Sequence, residues 1–137
     1  GTIILVVRSG ILRNYFPVAE LQVPMTINQD LKGVVLYNGI DSKYVLFVLE
    51  FFGNEILRTC MKAGTTVQSI DLKWLKAFEI PLPSLPEQER ITEILTAADD
   101  RLNAEQEWLN KMEDIKRGLM DDLLTNRIST DKLQGEV

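Results

Sequence analysis

The side chains of this 137-residue chain that are equipped for specific chemistry are hydrogen-bonding ones, gathered in three short polar stretches. Arg8, Arg13 and Asn14 follow a β-branched run. Gln29 and Lys32 lie in a second stretch, residues 26–33. Thr65, Thr66, Gln68 and Ser69 form a third, with Lys73 just beyond it. Guanidinium and carboxamide groups hold donors and acceptors in fixed planar arrangements suited to a planar edge, while hydroxyls and ammonium groups suit oxyanions such as phosphate. Two readings stay open for these residues: contact with a polyanion, or ordinary loop solvation and turn bonding. Catalysis is a poor fit. The chain has no histidine, which removes Ser-His and Cys-His pairs, and its one cysteine, Cys60, cannot by itself build a thiolate zinc site. The adjacent pairs Asp99-Asp100 and Asp121-Asp122 diverge by about 100° on a helix, so each reads as a solvated face. No catalytic residue, metal or cofactor is expected.

Charge is unevenly placed. Residues 1–85 carry eight Lys/Arg against seven Asp/Glu, whereas residues 86–137 carry seven against thirteen, so the net −5 belongs to the C-terminal part. Either the acidity is simply a solvated surface, or the N-terminal part meets a polyanion that the C-terminal part avoids. A lone cysteine excludes an intramolecular disulfide framework and suits a reducing cytosol. No apolar run approaches the ~18 residues that span a bilayer, and no signal peptide is visible, so a cytoplasmic location without membrane contact is expected. Gly1 in place of an initiator Met points to a fragment.

The elements that must position the polar stretches read as a small α+β domain. Thr2–Val7 is β-branched and predicts a buried strand, ending at Arg8-Ser9-Gly10. Further strands are expected at Val18–Val23 and Val34–Leu36, with a turn at Asn38-Gly39. Asp41 or Ser42 caps a helix through Tyr44–Cys60, whose inner face carries Val45, Leu49, Phe52, Ile56 and Cys60, with Val48 and Phe51 beside it. Asp71 caps a short helical turn, Leu72–Lys76. Phe78–Leu82 reads as another strand, and Pro81, Pro83 and Pro86 stiffen the joint beyond it. Tyr15, Phe16 and Tyr44 read as core or rim packing, and Trp74 as an anchor between the short turn and the element after the joint.

That element is a long helix over residues 86–125, with a polar tail, 126–137, at its end. Ser84 and Glu87 have capping-box spacing at its start. Leu95, Leu102, Leu109, Lys116 and Leu123 fall at heptad a positions; Ile91, Ala98, Glu105, Met112 and Leu119 fall at d. Eight of these ten are apolar, a coiled-coil period. A helix of this length is about 58 Å long at ~1.5 Å per residue, too long to bury its seam on the preceding residues, so it requires a partner. Ile94, Trp108 and Ile115 at g widen the apolar stripe, serving either a helix pair or a docking ridge.

The stretch GTTVQSIDLKWLKAFEIPLPSLPEQERI, Gly64–Ile91, with this helix after it, resembles the join between target-recognition domain and helix in specificity subunits of type I restriction-modification systems. Further matches are Val7-Arg8-Ser9-Gly10, residues 27–32 (INQDLK) and residues 115–120 (IKRGLM), so the resemblance covers nearly the whole chain. It implies a partial target-recognition domain at 1–85 and a spacer helix at 86–125. It also implies a non-catalytic role: reading one half of a bipartite double-stranded DNA target and scaffolding methyltransferase and restriction subunits. The helix would pair antiparallel through Ile91, Leu95, Ala98, Leu102, Leu109, Met112, Leu119 and Leu123, with a second helix of the same longer chain or with another copy. Complete members have two domains and two helices, and this chain has one of each.

On that reading Arg8, Arg13, Asn14, Gln29, Lys32, Thr65, Thr66, Gln68 and Lys73 are the DNA-contact candidates. Arg13 suits guanine or phosphate, Asn14 and Gln29 suit adenine, and Thr65, Thr66 and Lys73 suit phosphate. The competing reading is a globular cap on a coiled-coil tether with no DNA role.

Overall fold

The computed structural model describes residues 1–64 and 66–130. The chain divides into two compact units, one running from Gly1 to Leu95 and the other from Thr96 onward.

The first unit is built on a three-stranded antiparallel sheet. β1 (Ile3–Val6) is the central strand, flanked by β2 (Val18–Glu20) and β3 (Leu31–Val34). Alternation sets its faces: Ile3, Leu5 and Val7 are buried on one side, as the two-residue period of a strand requires. α1 (Ser42–Phe51) and α2 (Gly53–Cys60) follow, and the core closes over Val45, Val48, Leu49, Ile56 and Cys60, with Leu12, Phe16, Tyr44 and Ile70. α3 (Leu72–Lys76) is a short helix capped by Asp71, whose carboxylate accepts the Lys73 N–H at 2.8 Å. With this mix of sheet and helices, and with the long helix α4 (Leu85–Leu124), the architecture is α+β as expected.

Several elements differ from expectation. β2 stops at Glu20 rather than Val23. The third strand lies at Leu31–Val34 rather than Val34–Leu36, because the Asp30 carbonyl accepts the N–H groups of Val7 and Arg8 and so sets Val6 opposite Leu31. Val35 and Tyr37, apolar by identity, are left 81% and 85% exposed. The single helix expected through Cys60 is two, interrupted at Phe52, and Gly53 packs so closely that a Cβ there would sit 3.3 Å from that of Phe16. Phe51, placed near the inner face, is 80% exposed and meets Phe52 edge-on. Phe78–Leu82 forms no ladder; Phe78 and Ile80 pack on the core, and Pro81 has no N–H to offer. Trp74 is 61% exposed rather than an anchor, because Leu72 and Leu75 take the inward positions of α3. Phe16 and Tyr44 are buried, as expected; Tyr15 is half exposed.

The seat of α4 turns on Gln88, only 1% exposed and the one buried polar side chain among the described residues. Its Oε1 accepts the Asp41 N–H at 3.0 Å, and its Nε2 donates to the Pro83 carbonyl at 2.7 Å. Asp41 in turn caps α1 by accepting the Tyr44 N–H at 2.6 Å, and accepts the Thr92 hydroxyl at 2.8 Å. Tyr44 completes the link by donating its hydroxyl to the Pro81 carbonyl. A buried carboxamide with donor and acceptor both satisfied holds a joint in one geometry. Ile91, expected as the first seam position, lies one turn on from Gln88 and packs against the unit's own core.

In the second unit α4 continues to Leu124. Asn126 lies beyond it with φ 58, and the Arg127 N–H returns to the Asp122 carbonyl, the left-handed cap that ends many helices.

Candidate nucleic-acid interface

Backbone bonding brings the three polar stretches to one end of β1. Arg8 forms a bridge with Ser69, the Ser9 N–H donates to the Gln68 carbonyl, and the Ile70 N–H donates to the Val7 carbonyl. On the other side the Asp30 carbonyl takes the Val7 and Arg8 N–H groups. Residues 7–14, 28–32 and 66–70 therefore share one edge although up to about sixty positions separate them in sequence.

The 3-10 turn Gly10–Arg13 sets the first stretch. Ser9 caps it through its hydroxyl, and Leu12 and Phe16 are buried on either side of Arg13, Asn14 and Tyr15, which leaves those three facing solvent. Arg13 Nε donates to Gln68 Oε1 at 2.9 Å, across 55 residues. That bond fixes the plane of the guanidinium and leaves its two Nη groups for an external acceptor. Gln68 thereby acts on Arg13 with its oxygen and keeps only its amide N–H groups for any other partner.

The remaining candidates are placed less uniformly. Arg8, Gln29 and Thr66 are exposed. Lys32 sits in β3 opposite Leu5, and its Nζ donates to the Gln29 carbonyl at 3.3 Å. Asn28 makes a turn, accepting the Asp30 N–H at 3.0 Å. Lys73 is on α3, and no hydrogen bond among the described residues joins it to the cluster. Thr65 lies outside the described residues.

Two residues of the edge carried no signal of their own in the sequence. Lys62 joins it through its N–H, which donates to the Ser69 carbonyl, adding an exposed cation on the far side of the Ser69 segment from Arg8. Asp30 contributes a carboxylate whose Oδ1 is shielded and has no hydrogen-bond partner among the described residues. Its spacing to Arg8 exists only in the folded chain.

Among the described residues there is no group of three or more metal-ligating side chains, and no helix is long and apolar enough to cross a membrane. Cys60 is buried.

A sheet-centred unit thus runs through Pro81–Gln88 into a helix of heptad pattern. The chain belongs to the type I restriction modification DNA specificity domain family, whose model matches residues 12–114. It is 43% identical over 109 residues to the type I restriction enzyme EcoR124I/EcoR124II specificity subunit of Escherichia coli, covering 80% of this chain and 27% of that subunit. It is also 30% identical over 100 residues to the MjaIX specificity subunit of Methanocaldococcus jannaschii, covering 73% of this chain and 22% of that protein. A second protein of that organism, described as a putative MjaX specificity subunit, is 30% identical over 92 residues, or 66% and 22% of the two chains. The chain thus spans about a quarter of the length of the curated relatives it matches.

Proposed function

We propose that this chain reads one half of a bipartite double-stranded DNA target through the edge at the end of β1, without itself catalysing a reaction. Its long helix pairs antiparallel with a second such helix and gives the methyltransferase and restriction subunits a surface to assemble on. The observation that carries the reading is the convergence of Arg8, Arg13, Asn14, Gln29, Thr66 and Gln68 from three separate stretches, with Arg13 held in plane by Gln68. An Arg fork of fixed orientation suits two acceptors on one base edge, the commonest specific contact in the major groove. Arg8 and Lys62, with no such orienting bond among the described residues, suit phosphates.

The test is binding of the chain, together with the methyltransferase subunits of its system, to a pool of duplexes of randomised sequence. Arg13→Ala is expected to weaken binding to the selected sequence by about 1–3 kcal/mol and to relax preference at one position. Arg8→Ala is expected to weaken all duplexes alike and lower the slope of log affinity against log salt by about one. Affinity and salt dependence unchanged by both substitutions would refute the DNA contact and favour a tether without a DNA role.

A further inference from the structure

A hollow between α2 and α3 in the first unit shares no residue with the edge at the end of β1, and its charge is of the opposite sign. Phe52, Glu55 and Thr59 follow one another at steps of three and four and so share a face of α2. The Asp71 N–H donates to the Cys60 carbonyl at 2.7 Å, which pins the start of α3 to the end of α2. α3 then brings Trp74 to the same hollow, and Phe78 and Glu79 follow where that helix ends. Phe52 and Phe78 meet edge-on there, with ring centres 5.9 Å apart. The enclosed space is about 400 Å³.

Three aromatic rings and two carboxylates line it, with no Lys or Arg among the lining residues. Ring faces carry a negative quadrupole, strongest for indole, and add to the pull of the carboxylates on a cation. Trp74 keeps 61% of its surface exposed, more than an anchor within the core would. We propose that this hollow receives the guanidinium of an arginine presented by a partner polypeptide, laid against Trp74 with Glu55 and Glu79 as acceptors.

Charge and shape select that occupant. A phosphate would meet two carboxylates and no lining cation, so a nucleic-acid strand is a poor fit. A guanidinium is planar and weakly hydrated, so it stacks on a ring while its N–H groups still reach carboxylates; an ammonium holds its water more strongly. Arg58, on the same helix, lies 3.9 Å from Glu55 with its side chain 78% exposed, and is not part of the lining. An ion pair so solvated is loose, and an incoming guanidinium displaces it from Glu55. Lys73 and Lys76 flank Trp74 on α3 and also lie outside the lining.

Trp108→Phe leaves Trp74 as the one tryptophan of the chain, so that its fluorescence reports on this hollow. In the whole chain carrying that substitution, the peptide acetyl-Gly-Arg-Gly-amide is expected to give a saturable change in the millimolar range. The citrulline peptide, similar in shape but uncharged, should bind about tenfold more weakly, and the lysine peptide about threefold more weakly. Glu55→Gln and Glu79→Gln, which preserve side-chain shape, should each weaken the arginine peptide by about threefold or more, and Arg58→Ala should strengthen it. An unchanged thermal midpoint in each variant separates lost binding from lost fold. No saturation up to about 50 mM, equal binding of the arginine and citrulline peptides, or indifference to both glutamate substitutions would overturn the site. Lysine bound as tightly as arginine would overturn the guanidinium as its ligand. A DNA duplex that competes with the arginine peptide for the hollow would overturn the polypeptide partner. Arg13→Ala should leave peptide binding unchanged, so failure of this site and failure of the DNA edge are distinguishable.

Discussion

Replacing Gln88 with glutamate exchanges a donor for an acceptor where the structure has room only for a donor. Nε2 lies 2.7 Å from the Pro83 carbonyl oxygen, and the site is 1% exposed. In Gln88→Glu an ionised carboxylate would set oxygen against oxygen there, with the Asp41 carboxylate close by. The protonated acid, in contrast, reproduces the amide pattern: its O–H donates to Pro83 and its carbonyl oxygen accepts from Asp41. Burial and the neighbouring carboxylate therefore favour the neutral form and raise the folded-state pKa of the new carboxyl above the ~4.3 of an unfolded glutamate. One lost hydrogen bond plus two unsatisfied acceptors amounts to about 3 kcal/mol against the ionised form. The folded state then binds its proton more tightly than the unfolded state. The deficit against wild type is absent below pH ~4.3, grows as pH rises through the raised folded-state pKa, and is constant above it. Gln88→Ala loses both bonds at every pH and should cost about 2–4 kcal/mol without this dependence. Urea midpoints of the three proteins across pH 4 to 8 provide the measurement. A Gln88→Glu deficit below ~0.5 kcal/mol at neutral pH, or one that does not shrink on acidification, would refute the reasoning.

Two further outcomes are expected. Ile56→Ala removes a side chain with 0% exposure from the core beneath β1 and should destabilise by about 2–5 kcal/mol, read as a fall in the thermal midpoint; a loss under ~1 kcal/mol would mean the site collapses freely. Gln68→Ala and Arg13→Ala, combined in a double-mutant cycle on duplex affinity, should couple by about 1 kcal/mol, and zero coupling would show that the Nε bond does not prepare Arg13 for DNA.

Local chemistry was legible in the chain. Asp41 and Asp71 cap the helices they precede, and the alternation at Ile3, Leu5 and Val7 gives the buried face of β1. Errors came where a longer-range contact overrode local preference. Val35 looks like strand, yet pairing with β1 is decided by where Asp30 presents its carbonyl, and that starts the strand at Leu31. Trp74 looks like an anchor, yet a helix of five residues has one inward face, and Leu72 and Leu75 occupy it. Of the nine DNA-contact candidates, sequence supplied the residue types; it offered no reason to seat Arg13 on Gln68 or to bring Arg8 and Lys62 to opposite sides of Ser69.

By itself the sequence determined the capped helices, the first buried strand and the heptad pattern of the long helix, because each depends on periodicity or on neighbours within a few positions. The Gln88 clamp, the β3 register and the edge shared by residues 7–14, 28–32 and 66–70 were decided by tertiary structure alone. Each is held mainly by hydrogen bonds between groups far apart in sequence, and only burial of the intervening apolar chain brings such groups within reach.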